Sequence, residues 1–406
     1  MFNIKKIGIV LILISVGIFA FIFYSESQIK NIPIVFSSRD FLTMLWSNYK
    51  DQYIEKSTSR TLDKQQEYIT TSEGESYTMF RSALVDDKTT FDASFKWTQT
   101  ILKHKEDNLH SWLFGKHANG SYGVLSERGG QNSATDAESD IALSLIFAYE
   151  KWGDITYLTE ANNIISDIWD KEVIMIQGKP VLVSNDIEKS LHKPTVIVNP
   201  SYFSPYAYRI FAILDKKHDW NGLVNNSYAL LTQSAKLDLD TPTSTGLPPD
   251  WFEIDVSTGT IHRASSPNLT TNYSYDSLRI PWRIALDWQW NKNPQSKRLL
   301  DSFSFFSNKW NTDKKIVISY SHDGKVIRNI EAPAMYGGVI GYFLVSDPEN
   351  AKKVYENRIQ ILYNPDTNSW KLPLGYYDDN WAWFGIALYN QFIPNIAQGL
   401  PLQATT

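Results

Sequence analysis

Ala134-Thr135-Asp136-Ala137-Glu138-Ser139-Asp140-Ile141-Ala142-Leu143-Ser144-Leu145-Ile146-Phe147-Ala148-Tyr149-Glu150-Lys151-Trp152 opens polar, turns apolar and contains no glycine or proline. Thr135 or Asp136 suits an N-cap, Glu138 falls in the first turn, and Ile141 to Trp152 supplies an apolar helix. Asp136 and Asp140 lie one turn apart and project from one face. Helical periodicity of this kind recurs with short breaks, roughly at 39–55, 74–86, 90–105, 136–152, 154–170, 202–215, 222–236, 275–291, 296–310, 335–346, 348–361 and 378–391. About twelve helices without regular strand alternation predict an all-α architecture. Two β-hairpins are expected within it, roughly over 251–263 with a turn at Ser257-Thr258-Gly259 and over 315–328 with a turn at Asp323-Gly324. A third extended pair is expected around Gln177-Gly178, and residues 241–250 read as a long site-lining loop.

The bulk properties narrow the function. The 406 residues are 43% hydrophobic, ample for a sizeable core, and carry a formal net charge of −5. No long basic run exists beyond the extreme N-terminus, which argues against nucleic-acid binding. The chain has no cysteine, so disulfides, thiolate catalysis and Cys-ligated metals are excluded. Its seven histidines show no ligand-like spacing, and no cofactor or metal is implied.

Met1-Phe2-Asn3-Ile4-Lys5-Lys6 precedes an apolar run from Ile7 to Tyr24. Two lysines before such a run predict a cytoplasmic N-terminus and an exported body. Residues 1–30 are accordingly read as a signal anchor, or a signal peptide cleaved near Ser25-Glu26-Ser27, and residues 31–406 as one catalytic domain. Ser37-Ser38-Arg39-Asp40 is expected to cap the first helix. The protein is expected to work outside the cytoplasm, anchored to the membrane or secreted.

Three distant segments set an acid among hydroxyl, glycine or aromatic neighbours: Ser72-Glu73-Gly74, Thr135-Asp136-Ala137 and Tyr275-Asp276-Ser277. Taken singly, each is an ordinary helix-start acid. Glycosidic hydrolysis needs two carboxyl groups, one to protonate the leaving oxygen and one to activate water or attack the sugar. The chain also has 14 Trp, 22 Tyr and 20 Phe, residues on which sugar rings stack.

Together these segments resemble glycoside hydrolase family 8, which includes bacterial endoglucanases, chitosanases, xylanases and the endoglucanases that accompany cellulose synthases. The family signature is similar to Ala134-Thr135-Asp136-Ala137-Glu138-Ser139-Asp140-Ile141-Ala142, ending at Trp152, and its acid motif to Ser72-Glu73-Gly74-Glu75-Ser76-Tyr77-Thr78-Met79. A third motif resembles Tyr275-Asp276-Ser277-Leu278-Arg279 through Arg283. Further similarity lies at Pro200–Pro205, Gly246–Trp251 and Tyr376–Asp378.

The resemblance implies an (α/α)6 barrel and an inverting endo-glycosidase acting on a β-1,4-linked polysaccharide, a cellulose-like glucan or bacterial exopolysaccharide. Carried over, Glu73 is the general acid, Asp276 the base and Asp136 the residue that holds the distorted sugar. Tyr202 and Tyr275 are candidate donors around the sugar, with Arg279 beside Asp276. Trp97, Trp112, Trp251 and Tyr377 are candidate stacking surfaces. Glu138, Glu75, Thr78 and Ser277 depart from the usual aspartate, glutamine, glycine and alanine. The two glutamates are expected to add or move charge near the cleft, suiting an amino-sugar polymer, or to lie on the surface at helix starts. An anchored enzyme implies a neighbouring polysaccharide synthase as partner. Two other readings stay open: a catalytically silent polysaccharide-binding protein, and a polysaccharide lyase.

Overall fold

The computed structural model describes residues 38–400. Among these residues fourteen α-helices run in chain order: α1 (Ser38–Tyr53), α2 (Ser72–Val85), α3 (Lys88–Trp97), α4 (Thr135–Trp152), α5 (Ile155–Glu172), α6 (Asp186–Ser190), α7 (Pro205–Leu214), α8 (Trp220–Ser234), α9 (Arg279–Asn291), α10 (Pro294–Ser302), α11 (Phe305–Asp313), α12 (Pro333–Ser346), α13 (Pro348–Val354) and α14 (Tyr376–Tyr389).

Helices α2, α4, α7, α9, α12 and α14 form the inner ring, and α3, α5, α8, α10, α13 and α1 pack against them in turn. This pairing is an (α/α)6 barrel, and α1 against α14 closes the seam between the chain's two ends. The inner helices are buried over most of their length, by polar as well as apolar side chains. In α2 every residue but Glu73 is buried, and in α14 Tyr376 and the run from Asp379 to Leu388 are. Their side chains merge into one continuous core. Small residues let the inner helices approach: a Cβ on Gly338 of α12 would stand 2.0 Å from the Leu278 carbonyl oxygen, just before α9.

Short strands decorate one end of the barrel. The expected hairpins form as Phe252–Asp255 with Ile261–His262, Ser319–Tyr320 with Val326–Arg328, and Val173–Ile176 with Lys179–Leu182. Other pairings were not anticipated. Thr195–Val198 adds to the first hairpin antiparallel, with Val198 opposite Phe252; Leu113–Lys116 pairs with Tyr122–Val124 and with Thr70–Thr71; and Tyr363–Asn364 pairs with Ser369–Trp370.

Several helix boundaries differ from the periodicity. The 202–215 segment starts as a 3-10 turn over Pro200–Tyr202, because Pro205 begins the helix proper. Helix α9 starts at Arg279, leaving Asp276 in the preceding turn. The 296–310 segment breaks at Phe303 into two helices. The 90–105 segment passes into a π-helical turn, and the 348–361 segment into a π-helical turn followed by a 3-10 turn over Gln360–Leu362. The expected cap of α4 is also corrected: Ala134 is its N-cap, and no side chain caps it. The Thr135 hydroxyl is unpartnered, and Asp136 turns instead toward an arginine.

No helix among the described residues is long and apolar enough to cross a membrane. The apolar run 7–24, its signal or anchor reading and Ser37 lie outside the described residues.

Candidate active site

Glu73 sits in the first turn of α2, whose start is fixed by the Thr71 hydroxyl accepting from the Gly74 amide at 3.0 Å. Asp136 sits in the first turn of α4, and Asp276 in the turn that leads into α9. The three come from far apart in the chain and meet at one residue. Arg279 Nη1 donates to Glu73 Oε2 and to Asp136 Oδ2, both at 2.8 Å, and Nη2 donates to Asp276 Oδ1 at 2.7 Å. Ser201 Oγ takes the remaining Arg279 donors, at 3.1 and 2.7 Å. A second pair repeats the geometry one turn deeper, Asp140 with Arg283 at 2.7 Å.

One buried guanidinium thus faces three carboxyl groups, Asp136 buried with it and Glu73 and Asp276 partly open to the cleft. Removal from water is the main reason the Glu73 carboxyl is pushed up to about 7, and Asp136 and Asp276 push the same way against Arg279. The side chain still keeps 23% of its surface open to the cleft. Burial also raises the Asp136 carboxyl, with Arg279 and Arg283 opposing.

Asp276 is held by more than Arg279. Asn199 Nδ2 donates to its Oδ1 and Trp251 Nε1 to its Oδ2, each at 3.0 Å. With two donors Oδ1 is saturated, whereas Oδ2 keeps a lone pair free.

Glu73, Asp136, Asp276 and Arg279 line a cleft of about 500 Å³ together with Asp63, Gln65, Gln66, Trp112, Tyr202, Tyr275, Tyr376, Tyr377 and Asp378. Tyr202 lies under the Arg279 guanidinium at 5.1 Å and meets Trp251 edge-on at 5.9 Å. Tyr377 donates its hydroxyl to the Tyr275 carbonyl at 2.7 Å.

Of the residues singled out in the sequence, Glu73, Asp136, Asp276, Arg279, Tyr202, Tyr275, Trp112 and Tyr377 therefore come together. Trp251 stands behind Asp276 as a hydrogen-bond donor. Trp97 is not in the cleft wall and packs edge-on against Phe114 at 5.3 Å. The expectation for the two departing glutamates is corrected: Glu75 and Glu138 are fully buried, line no part of the cleft and do not lie on the surface. Glu75 accepts from the Thr61 amide and Ser94, and Glu138 from the His110 amide and ring. Sequence reasoning missed the roles of Asn199, Ser201, Asp250, Asp63 and Gln65. Asn199, Ser201 and Asp250 adjoin or lie in segments flagged for similarity, but no local pattern says where their side chains point.

The profile of Glycosyl hydrolases family 8 matches residues 23–360. Endoglucanase 2 of Ruminiclostridium josui is 28% identical over 341 residues, 80% of this chain and 67% of that protein. The endoglucanase of Escherichia coli strain K12 is 27% identical over 64% of this chain and 66% of its own length. The chain spans about two thirds or less of the lengths of the first curated relatives it matches. Among solved structures, the endo-1,4-D-glucanase of Vibrio fischeri ES114 superposes with a TM-score of 0.68 at 25% identity, covering 85% of this chain and 94% of that one. A β-1,3-1,4-glucanase of Paenibacillus sp. X4, at 20% identity and a TM-score of 0.71 over 88% of this chain and 94% of that one, shares the fold. Barrel, converging carboxyl groups and matched profile agree: the chain belongs to family 8 of the glycosyl hydrolases.

Proposed function

We propose that this glycoside hydrolase cuts a β-1,4-linked glucan within the chain, by inversion, with Glu73 as acid, Asp276 as base and Asp136 beneath the distorted sugar. The observation that carries the reading is Arg279, which holds an acid-type and a base-type carboxyl group on its two different terminal nitrogens. Endoglucanase relatives and family membership support the substrate class and the inversion.

The hydrogen bonds support a choice of reacting atoms. Glu73 Oε2 faces a guanidinium donor, so the acid's proton sits on Oε1, the oxygen turned from Arg279. Held near neutrality, that proton passes to the glycosidic oxygen as the C–O bond breaks. Water adds to the anomeric carbon from the opposite face and gives its proton to Asp276 Oδ2, the atom with a free lone pair. The complete acid and base set disfavours a silent binding protein. A lyase would need a base at the sugar's C5 and no water.

The apolar run 7–24 behind two lysines supports an extracytoplasmic enzyme held near a polysaccharide synthase. Recovery of the full-length protein in the soluble cytoplasmic fraction would count against that placement.

The test is reducing-end release from cellulose-like and mixed-linkage glucans, xylan and chitosan, with ¹H NMR following the first anomer formed. Release of the α-anomer from a β-glucan, lost in Glu73→Gln, supports the reading. Unsaturated products absorbing in the near ultraviolet would replace it with a lyase.

A further inference from the structure

Asp250 is buried, is not part of the cleft lining, and yet aims its whole carboxyl group at the turn that carries Asp276. Its Oδ1 accepts from the Ser274 amide at 3.0 Å, the Ser277 amide at 2.9 Å and the Ser277 hydroxyl at 2.8 Å. Its Oδ2 accepts from the Ser274 hydroxyl. These four donors flank Asp276 on both sides. The Asp250 backbone is itself pinned, donating to the Asn272 carbonyl at 2.6 Å, and the next residue, Trp251, bonds the Asp276 carboxyl group directly.

A buried carboxyl group is costly to maintain unless its acceptors are satisfied, and this one is satisfied only by a single turn. Burial, with Asp276 adding to it, pushes the Asp250 carboxyl up to about 7, while the two amides and two hydroxyls favour its anion. Without those bonds the 274–277 turn would keep the backbone bonds from Leu278 to Ser274, Arg279 to Asp276 and Ile280 to Ser277, the bonds of Tyr377 to the Tyr275 carbonyl and Arg279 Nε to the Asp276 carbonyl, and the side-chain contacts of Asp276 itself.

We infer that Asp250 is a positioning residue for the base: through Ser274 and Ser277 it sets where Asp276 stands relative to the attacking water. Ser277, where small alanine is usual in the family, gives this chain one hydroxyl donor more in that bracket. The inference rests on the hydrolytic reading for its kinetic consequence, but not for its structural one.

The experiment compares wild type with Asp250→Ala, Asp250→Asn and the double variant Ser274→Ala/Ser277→Ala. Each is examined for kcat and KM on the glucan that wild type cuts, melting temperature, and amide hydrogen exchange across 270–280. Misplacing a reacting group by about 1 Å lowers turnover about 100-fold. Asp250→Ala should therefore lower kcat about 100-fold, leave KM within about threefold, and speed exchange at Ser274 and Ser277. Asp250→Asn keeps an acceptor for both amides and should stay within about tenfold of wild type. The double variant, which keeps the buried carboxylate and two of its donors, should lose about tenfold in kcat.

Wild-type exchange at 274–277 in Asp250→Ala overturns the inference whichever polymer the enzyme cuts. So does a wild-type kcat in that variant. If Asp250→Ala does not fold, the double variant decides: unchanged kcat and exchange there also overturn it. A wild type that releases no sugar from any β-glucan, beside faster exchange in the variants, sinks the hydrolytic reading and leaves the bracket standing.

Discussion

Asn199 and Trp251 stand opposite one another just beyond the last pair of an antiparallel ladder, and they bond opposite oxygens of Asp276 at 3.0 Å each. The ladder pairs Val198 with Phe252, so the next residue of one strand and the preceding residue of the other arrive at one place. A small sheet set on the barrel end, rather than the barrel itself, thereby orients Asp276. Rigid ladder geometry suits this task better than a free loop, because each donor adjoins a residue held by backbone pairing before any substrate arrives.

Asn199→Ala should lower kcat about tenfold or more while leaving KM nearly unchanged, because it frees Asp276 to rotate without touching sugar. Trp251→Phe should act in the same direction, since it keeps an aromatic ring and removes only the Nε1 donor. Steady-state kinetics at matched melting temperatures check both, and a rise in KM alone would contradict the assignment.

The pH–rate profile should fall on its alkaline side near 7. As the proposed acid, Glu73 would act only when protonated, and burial pushes its carboxyl up to about 7. An activity that holds flat to pH 9 would remove Glu73 as the acid.

Stability should decline as pH rises from about 4.5 to about 7, and Glu75 supplies part of that slope. Its folded carboxyl group, raised to about 7 chiefly by burial, keeps a proton that the unfolded chain has already released in this window. The folded state therefore binds more protons there, and stability falls with pH. Glu75→Gln has no proton to lose. Its melting temperature should drop less between pH 5 and pH 8 than that of wild type.

Arg279→Ala should destabilise the fold by about 3–5 kcal/mol, the usual effect of stranding buried charge by removing its partner. Arg279 is 2% exposed and answers three carboxylates. The loss should be larger at pH 8 than at pH 5, where the raised Glu73 and Asp136 carboxyls are more protonated. Urea melts at the two pH values measure it.

Gly338→Ala should cost about 1–3 kcal/mol or more through overpacking. The added methyl would meet the Leu278 carbonyl oxygen, which is backbone and cannot swing aside. Because Leu278 directly precedes Arg279, turnover should fall along with the melting temperature. A variant as stable as wild type would show that α12 can shift.

The helical segmentation was legible in the sequence because each helix writes its own 3.6-residue pattern locally, as Thr135–Trp152 does. Glu73, Asp136 and Asp276 were legible for a related reason: each sits in a short motif whose neighbours are sequential. Boundaries at Phe303 and Arg279 were not, since a break set by tertiary packing leaves the period on either side intact.

What the sequence alone determined, then, is the helical composition, the three acids and the arginine beside one of them. Only the tertiary structure decided that a single guanidinium joins all three acids, that Glu75 and Glu138 lie buried away from the cleft, and that Asn199 and Asp250 serve Asp276. The reason is physical. Asp136 and Arg279 are 143 residues apart, and no local pattern encodes which side chains two helices will bring within 3 Å. Desolvation, which holds the Glu73 proton near neutrality, likewise belongs to the packed surroundings and not to the residue.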